Sequence, residues 1–147
     1  MDKNKIPKKY TAGLSPSDKK KQIKSIKESR ELYKKGQFKD RPKLKSAKTK
    51  RSSNVIKFEK MYGTKITDKQ YIVKNLISEK GREQIIKKGK AAYASSGSRP
   101  NQTPFSWSLA RLASVLTFGP ALKVDKDIVL KEGKGKFLKE AKKKLNV

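Results

Sequence analysis

The 147-residue chain has no cysteine and no histidine. The first absence excludes a disulfide framework, a thiol nucleophile and cysteine-ligated zinc. The second removes Ser-His-Asp and Cys-His catalysis, and with them the commonest general base near neutral pH. Acidic side chains are scarce, 13 against 40 Lys plus Arg. They are also scattered: Asp125 and Asp127 are the closest pair outside the helix starts, and residues two apart on a helix do not share a face. No metal cluster and no acid–base dyad emerges. No apolar run approaches the roughly 18 residues of a membrane span, and the opening Met1-Asp2-Lys3-Asn4-Lys5 leads into no signal-peptide hydrophobic region. Hydrophobic residues make up 33% of the chain, against about 45–50% in an ordinary soluble domain. The sequence therefore predicts a small core, no enzymatic activity, no cofactor and no small-molecule substrate.

Positive charge is what the chain has in excess. A net charge of +27 repels itself unless something acidic neutralises it, and nucleic acid, an acidic protein lattice and an anionic membrane all qualify. The excess sits toward the ends. Residues 1–60 carry 21 basic and 6 acidic groups, residues 61–130 carry 12 and 5, and residues 131–147 carry 7 and 2. Between Ala91 and Leu122 the charged side chains are Arg99 and Arg111 alone. A core is expected in that window.

Local signals predict helices. Residues 1–14 look like a basic arm broken by Pro7 and Gly13. Ser15-Pro16-Ser17-Asp18 is a start signal, with a capping serine and a proline at the first helical position. That helix should run to about Lys35 and stop at Gly36. Its thin apolar stripe, Ile23, Ile26 and Tyr33, suits docking rather than a core. Residues 37–54 are the most basic stretch. Lys43, Lys45, Lys48, Lys50 and Arg51 would present charge along one extended, partner-binding track, or else belong to a solvated linker. Further helices are expected over Val55–Tyr62, capped by Ser53 or Asn54 and stopped by Gly63; from a Thr67/Gln70 capping box to about Lys80, ended or bent by Gly81; and over Arg82–Lys88. Ala91 to Gln102 reads as a small-residue loop. The strongest helix spans Pro104 to Phe118, with Gly119-Pro120 as its stop. A short helix from Val124 and a lysine-rich one over Lys136–Leu145 follow. There is no alternating strand pattern of useful length.

Three features invite a chemical reading. The loop holding Ser96, Ser98 and Arg99 offers hydroxyls, a guanidinium and free backbone N–H groups, which suit an anion; a structural turn explains the same residues more simply. Trp107 is a base-stacking candidate, but on an apolar helix face it reads better as a core anchor, together with Leu109, Leu112 and Leu116. Gly133-Lys134-Gly135-Lys136 lacks the rest of a Walker pattern and reads as a basic hinge.

The strings RPKLKSAKTKRSSNVIKFEKMYG (Arg41–Gly63) and AAYASSGSRPNQTPFSWSLARLASVLTFGPALKVDKDIV (Ala91–Val129), with the opening KKYTAGLSPSDKKKQIKSI (Lys8–Ile26), carry a likeness over most of the chain. It resembles a family of small basic proteins encoded by large nucleocytoplasmic DNA viruses, especially algal viruses of the chlorella-virus type. The resemblance implies a viral protein carried in the virion and transfers no catalytic activity. It does not separate a minor capsid protein from a packaged DNA-binding protein.

The fold expected is mostly α: a basic arm with one docking helix over residues 1–54, a small irregular helical core over 55–130, and a basic C-terminal helix over 131–147. The function expected is that of an internal minor capsid protein whose basic arms staple neighbouring capsid subunits in a large symmetric assembly. It would lie inside the capsid shell, and in the host cytoplasm during assembly, with viral DNA or the inner membrane surface as further partners. The alternative is a packaged DNA- or RNA-binding protein that neutralises the genome.

Overall fold

The computed structural model describes residues 6–47 and 52–147. These residues are mostly helical, as the sequence predicts. Eight α-helices follow a 3₁₀ turn at Lys8–Tyr10: α1 (Pro16–Lys34), α2 (Ser53–Tyr62), α3 (Lys69–Asn75), α4 (Glu79–Ser95), α5 (Pro104–Leu116), α6 (Ala121–Val124), α7 (Lys126–Glu132) and α8 (Gly135–Leu145). Among the described residues there is no strand beyond an isolated bridge between Ile77 and Gly133, and no helix is long and apolar enough to cross a membrane.

The described residues group into two compact units, one within 1–50 and 90–107, the other within 51–89 and 108–147. These units do not coincide with the 1–54, 55–130 and 131–147 division drawn from charge. Charge marks what faces water, whereas an amphipathic segment such as α8 is basic on one side and packed on the other.

In the first unit α1 begins as expected. Ser15 Oγ accepts from the Asp18 N–H at 3.3 Å, Pro16 occupies the first helical position, and Gly36 follows the last turn with φ +74°. The buried face differs from the apolar stripe. Asp18, Gln22, Ser25, Ile26 and Ser29 are buried, while Tyr33 is exposed. Two polar groups of this face, the Asp18 carboxylate and the Gln22 amide nitrogen, find hydrogen-bond partners among their neighbours. Asp18 accepts from the Ser46 N–H at 3.1 Å and from the Ser46 hydroxyl, and Gln22 Nε2 donates to the Ser98 carbonyl at 2.9 Å. Tyr10, Leu14, Leu44 and Tyr93 supply the apolar part.

The second unit has the apolar core. Phe58, Ile66, Ile72, Leu76, Ile77, Ile85, Leu109, Leu112, Leu116, Val129 and Phe137 belong to one buried cluster. Several helix boundaries differ from expectation. The cap position of α2 is Ser52, not Ser53 or Asn54, and no side chain bonds there. Asp68 rather than Thr67 caps α3, accepting from the Tyr71 N–H at 3.1 Å and the Thr64 hydroxyl at 2.6 Å. The helix expected to reach Lys80 stops at Asn75. Leu76 and Ser78 leave it to bond across, Lys134 N–H to the Leu76 carbonyl at 2.8 Å and Ser78 N–H to the Glu132 carbonyl at 2.9 Å. Ser78 Oγ then accepts from the Gly81 N–H at 3.1 Å, so Gly81 lies in the first turn of α4 rather than ending a helix. α4 also continues beyond Lys88 to Ser95, through residues expected to form a loop. Gly89 is the reason a close approach is possible: a Cβ there would sit 2.7 Å from the Ser108 Cα.

At the end of α5 the left-handed residue is Phe118 (φ +62°), not Gly119. Phe118 N–H reaches the Val115 carbonyl at 3.2 Å and Gly119 N–H the Ser114 carbonyl at 2.7 Å, the paired bonds of a Schellman end. An aromatic residue is strained in this conformation. Stacking on Phe137, 5.6 Å between ring centroids, holds it there. Where one helix was expected from Val124, α6 and α7 meet at the buried Asp125.

Candidate anion-binding site

The most unusual feature of the first unit is a buried guanidinium. Arg41 follows the exposed run from Tyr33 to Asp40 and precedes Pro42, which opposes helix and keeps the chain extended. Its side chain turns inward and is only 4% exposed. The guanidinium carbon lies 4.2 Å from the centre of the Tyr93 ring. Nε donates to Ser98 Oγ at 3.1 Å and Nη2 to the Tyr93 carbonyl at 2.9 Å. Nη1 is buried with no hydrogen-bond partner. No described carboxylate forms an ion pair with Arg41.

The receiving surface comes from the end of α4 and the loop after it. Tyr93 is fully buried and its hydroxyl donates to the Lys39 carbonyl at 2.5 Å, which pins the chain beside Arg41. Gly97 adopts φ +123°, conformational space open to glycine; a Cβ there would also come within 3.3 Å of Tyr10. Ser98 is buried and its hydroxyl serves both Arg41 and the Arg99 carbonyl. Arg30, from α1, donates to the Ser96 carbonyl at 2.8 Å.

The electrostatics follow from this crowding of cations. Burial lowers the pKa of Arg41 from its ordinary value; the Tyr93 and Tyr10 phenols oppose this, and the neighbouring Arg30 charge adds to it. Burial raises the Tyr10 hydroxyl, while Arg99, Arg41 and Arg30, in that order, pull it back down. Three guanidinium charges therefore act on the Tyr10 phenol, while on Tyr93, raised by burial, Arg41 pulls down and Asp40 pushes up.

Of the residues singled out in the sequence, Ser98 and Arg99 lie at this place, Ser96 contributes its carbonyl, and Ser96 and Arg99 are exposed. The basic track is not continuous. Lys43 and Lys45 are exposed on either side of the buried Leu44, whose N–H donates to Asn101 Oδ1 at 2.8 Å. Lys48, Lys50 and Arg51 lie outside the described residues. Leu109, Leu112 and Leu116 are core anchors of the second unit. Trp107 is not part of that cluster: it is half-buried in the first unit, edge-on to Tyr10 at 5.9 Å. Its position on α5 makes it look apolar-facing, but the division between the units falls immediately after it.

Sequence reasoning missed Arg30, Arg41 and Gln22. One signal was present. Six of the 40 basic residues are arginine, and arginine suits packed, multiply hydrogen-bonded positions better than lysine does. Arg41 and Arg82 are buried, and Arg111 makes a two-pronged pair with the buried Asp125 at 2.9 and 2.7 Å.

A model of a protein family matches residues 7–134. The chain belongs to DUF5824, a family of unknown function. The DUF5824 match takes in Tyr10, Arg30, Arg41, Tyr93, Ser98 and Arg99, and it ends immediately before α8. No curated protein and no solved structure matches the chain.

Proposed function

We propose that the protein binds nucleic acid by neutralising phosphates with lysines fixed on folded helices, and that it carries no catalytic activity. The observation that carries this reading is on α8. Its apolar side chains Phe137 and Ala141 are buried, which leaves Lys136, Lys139, Lys142, Lys143 and Lys144 exposed. None of the five forms an ion pair with a described carboxylate. On α1, Lys19, Lys20 and Lys27 are likewise exposed without an acidic partner, because Glu28 and Glu31 pair with Lys24, Lys39 and Lys34. Phosphate neutralisation needs this arrangement: many cations held outward at little entropic cost, with few internal partners to compete. Parts of the basic segments pack within their own units, Arg41 and Leu44 in the first and α8 in the second. That docking favours the genome over capsid subunits as partner.

The resemblance to proteins of large DNA viruses supports a place inside the virion, next to the packaged genome. A second reading, an internal minor capsid protein, draws support from an exposed aromatic pair. Tyr33 and Phe38 are 38% and 47% exposed with ring centroids 6.0 Å apart, and such rings can anchor in a neighbour's pocket. Duplex binding followed by fluorescence anisotropy tests the first reading. Changing Lys136, Lys139 and Lys143 together to Gln should reduce the log–log salt slope by up to about 3. If the triple variant leaves DNA affinity intact while Tyr33→Ala/Phe38→Ala abolishes incorporation into particles, the second reading replaces the first.

A further inference from the structure

Arg41 is a buried charge that no described carboxylate pairs with. Burying an ionised group is costly unless it is paired, and proteins generally pair it or neutralise it. Here Tyr93 gives a ring face and a carbonyl, Ser98 gives a hydroxyl, and Nη1 is left over. The one carboxylate whose charge acts here, Asp40 on Tyr93, makes no ion pair with Arg41, and the guanidiniums outnumber it. Arg30 and Arg99 act on the same phenol as Arg41, and Arg99 is exposed. On the covering face of α1, the hydroxyls of Ser25 and Ser29 are also buried without partners. Gln22 is tied to the same loop through the Ser98 carbonyl. Arg41 Nη1 is a donor left without an acceptor, and among the described residues no anion pairs with this guanidinium.

We propose that the first unit holds a binding site for a phosphate group, with Arg41 as its buried cation and Arg30, Ser98 and Arg99 around it. Phosphate fits the chemistry because guanidinium forks and hydroxyls donate to its several oxygens at once. Arg99 meets the ligand from the surface, and Arg41 acts from behind with a field that little solvent screens. The site does not depend on nucleic-acid binding, since a free phosphate and a backbone phosphate present the same oxygens.

The test is a titration of the full chain with inorganic phosphate at constant ionic strength, made up with chloride, followed by ³¹P NMR line broadening and by melting temperature. The expected result is a saturable response. Arg99→Ala should weaken phosphate binding about 5–10-fold, as a charge-assisted contact does. Arg41→Met should weaken it more than 10-fold while the protein still melts cooperatively, because an apolar side chain of similar size can replace a buried charge. A rise in melting temperature that is linear in phosphate and equal in Arg99→Ala is the general effect of an excluded salt and overturns the site. Should Arg41→Met fail to fold, Arg99→Ala decides alone, and unchanged phosphate affinity in it refutes the site. Competition identifies the source. Displacement of phosphate by a duplex oligonucleotide assigns the site to backbone phosphate, and simultaneous binding of both assigns it to a free phosphate compound.

Discussion

The guanidinium of Arg41 and the ring of Tyr93 are packed together 4.2 Å apart, and a second bond runs from Arg41 Nη2 to the Tyr93 carbonyl. This pair joins the stretch before Pro42 to the end of α4, 52 residues away. Removing the ring takes away both the platform and a fully buried side chain. Tyr93→Ala should destabilise the first unit by about 3–5 kcal/mol. Tyr93→Phe keeps the ring and loses the hydroxyl bond to the Lys39 carbonyl, for about 1 kcal/mol. Urea denaturation followed by near-ultraviolet circular dichroism measures both, and equal effects would show that the ring contributes nothing.

Tyr62 sets an alkaline limit on the second unit. Burial, with Tyr71 adding to it, pushes the Tyr62 pKa up to about 12, and its hydroxyl donates to the Leu116 carbonyl at 2.5 Å. A raised folded-state pKa means that Tyr62 contributes fully below about pH 10, where the unfolded phenol is still protonated. That contribution is lost as pH climbs from about 10 toward 12. Tyrosinate absorbance should show late-titrating phenols, since Tyr10 and Tyr93 are also raised, and Tyr62→Phe should remove one of them and flatten the loss of stability above pH 10.

Gly89 should not tolerate a methyl group. Alanine would favour the helix by up to about 1 kcal/mol, but its Cβ would lie 2.7 Å from the Ser108 Cα, which is backbone and cannot rotate away. Gly89→Ala is expected to cost a net 1–3 kcal/mol, roughly the penalty of overpacking. A rise in melting temperature would show that α4 and α5 are not in close contact there.

Asp125 has a fully buried side chain between Arg111, at 2.7 Å, and Lys88, at 3.7 Å. Asp125→Asn removes the only negative charge of this group and leaves Arg111, whose side chain is 21% exposed, without compensation. The expected loss is about 3 kcal/mol, at the lower end of the range for breaking a buried pair. Arg111→Met together with Asp125→Asn should recover part of it, and a double-mutant cycle gives the coupling directly.

Boundary signals that act within a few residues were legible in the sequence. Ser15 and Pro16 start α1, Gly36 and Gly63 end helices, and Pro104 opens α5, because each works through its own backbone geometry. What depended on distant partners was not. The Leu76–Ser78 break is set by bonds to Glu132 and Lys134, and the left-handed Phe118 relies on Phe137. The candidate site was half visible: Ser98 and Arg99 stood out as loop polar groups, but Arg41 was one cation among many in a lysine-rich stretch. Nothing local indicated that it would fold inward onto Tyr93.

The central claim, phosphate neutralisation by fixed lysine faces, is tested most directly by the affinity of the full chain for a random-sequence duplex between 50 and 200 mM salt. Any chain of charge +27 binds DNA when salt is low, so the decisive point is near 150 mM, where screening acts over about 8 Å. The expected result is a dissociation constant of about 1 μM or tighter at that salt, a linear log–log dependence, and a slope that falls when the α8 lysines are changed to Gln. Binding that vanishes by 150 mM, or a slope indifferent to those lysines, would contradict it.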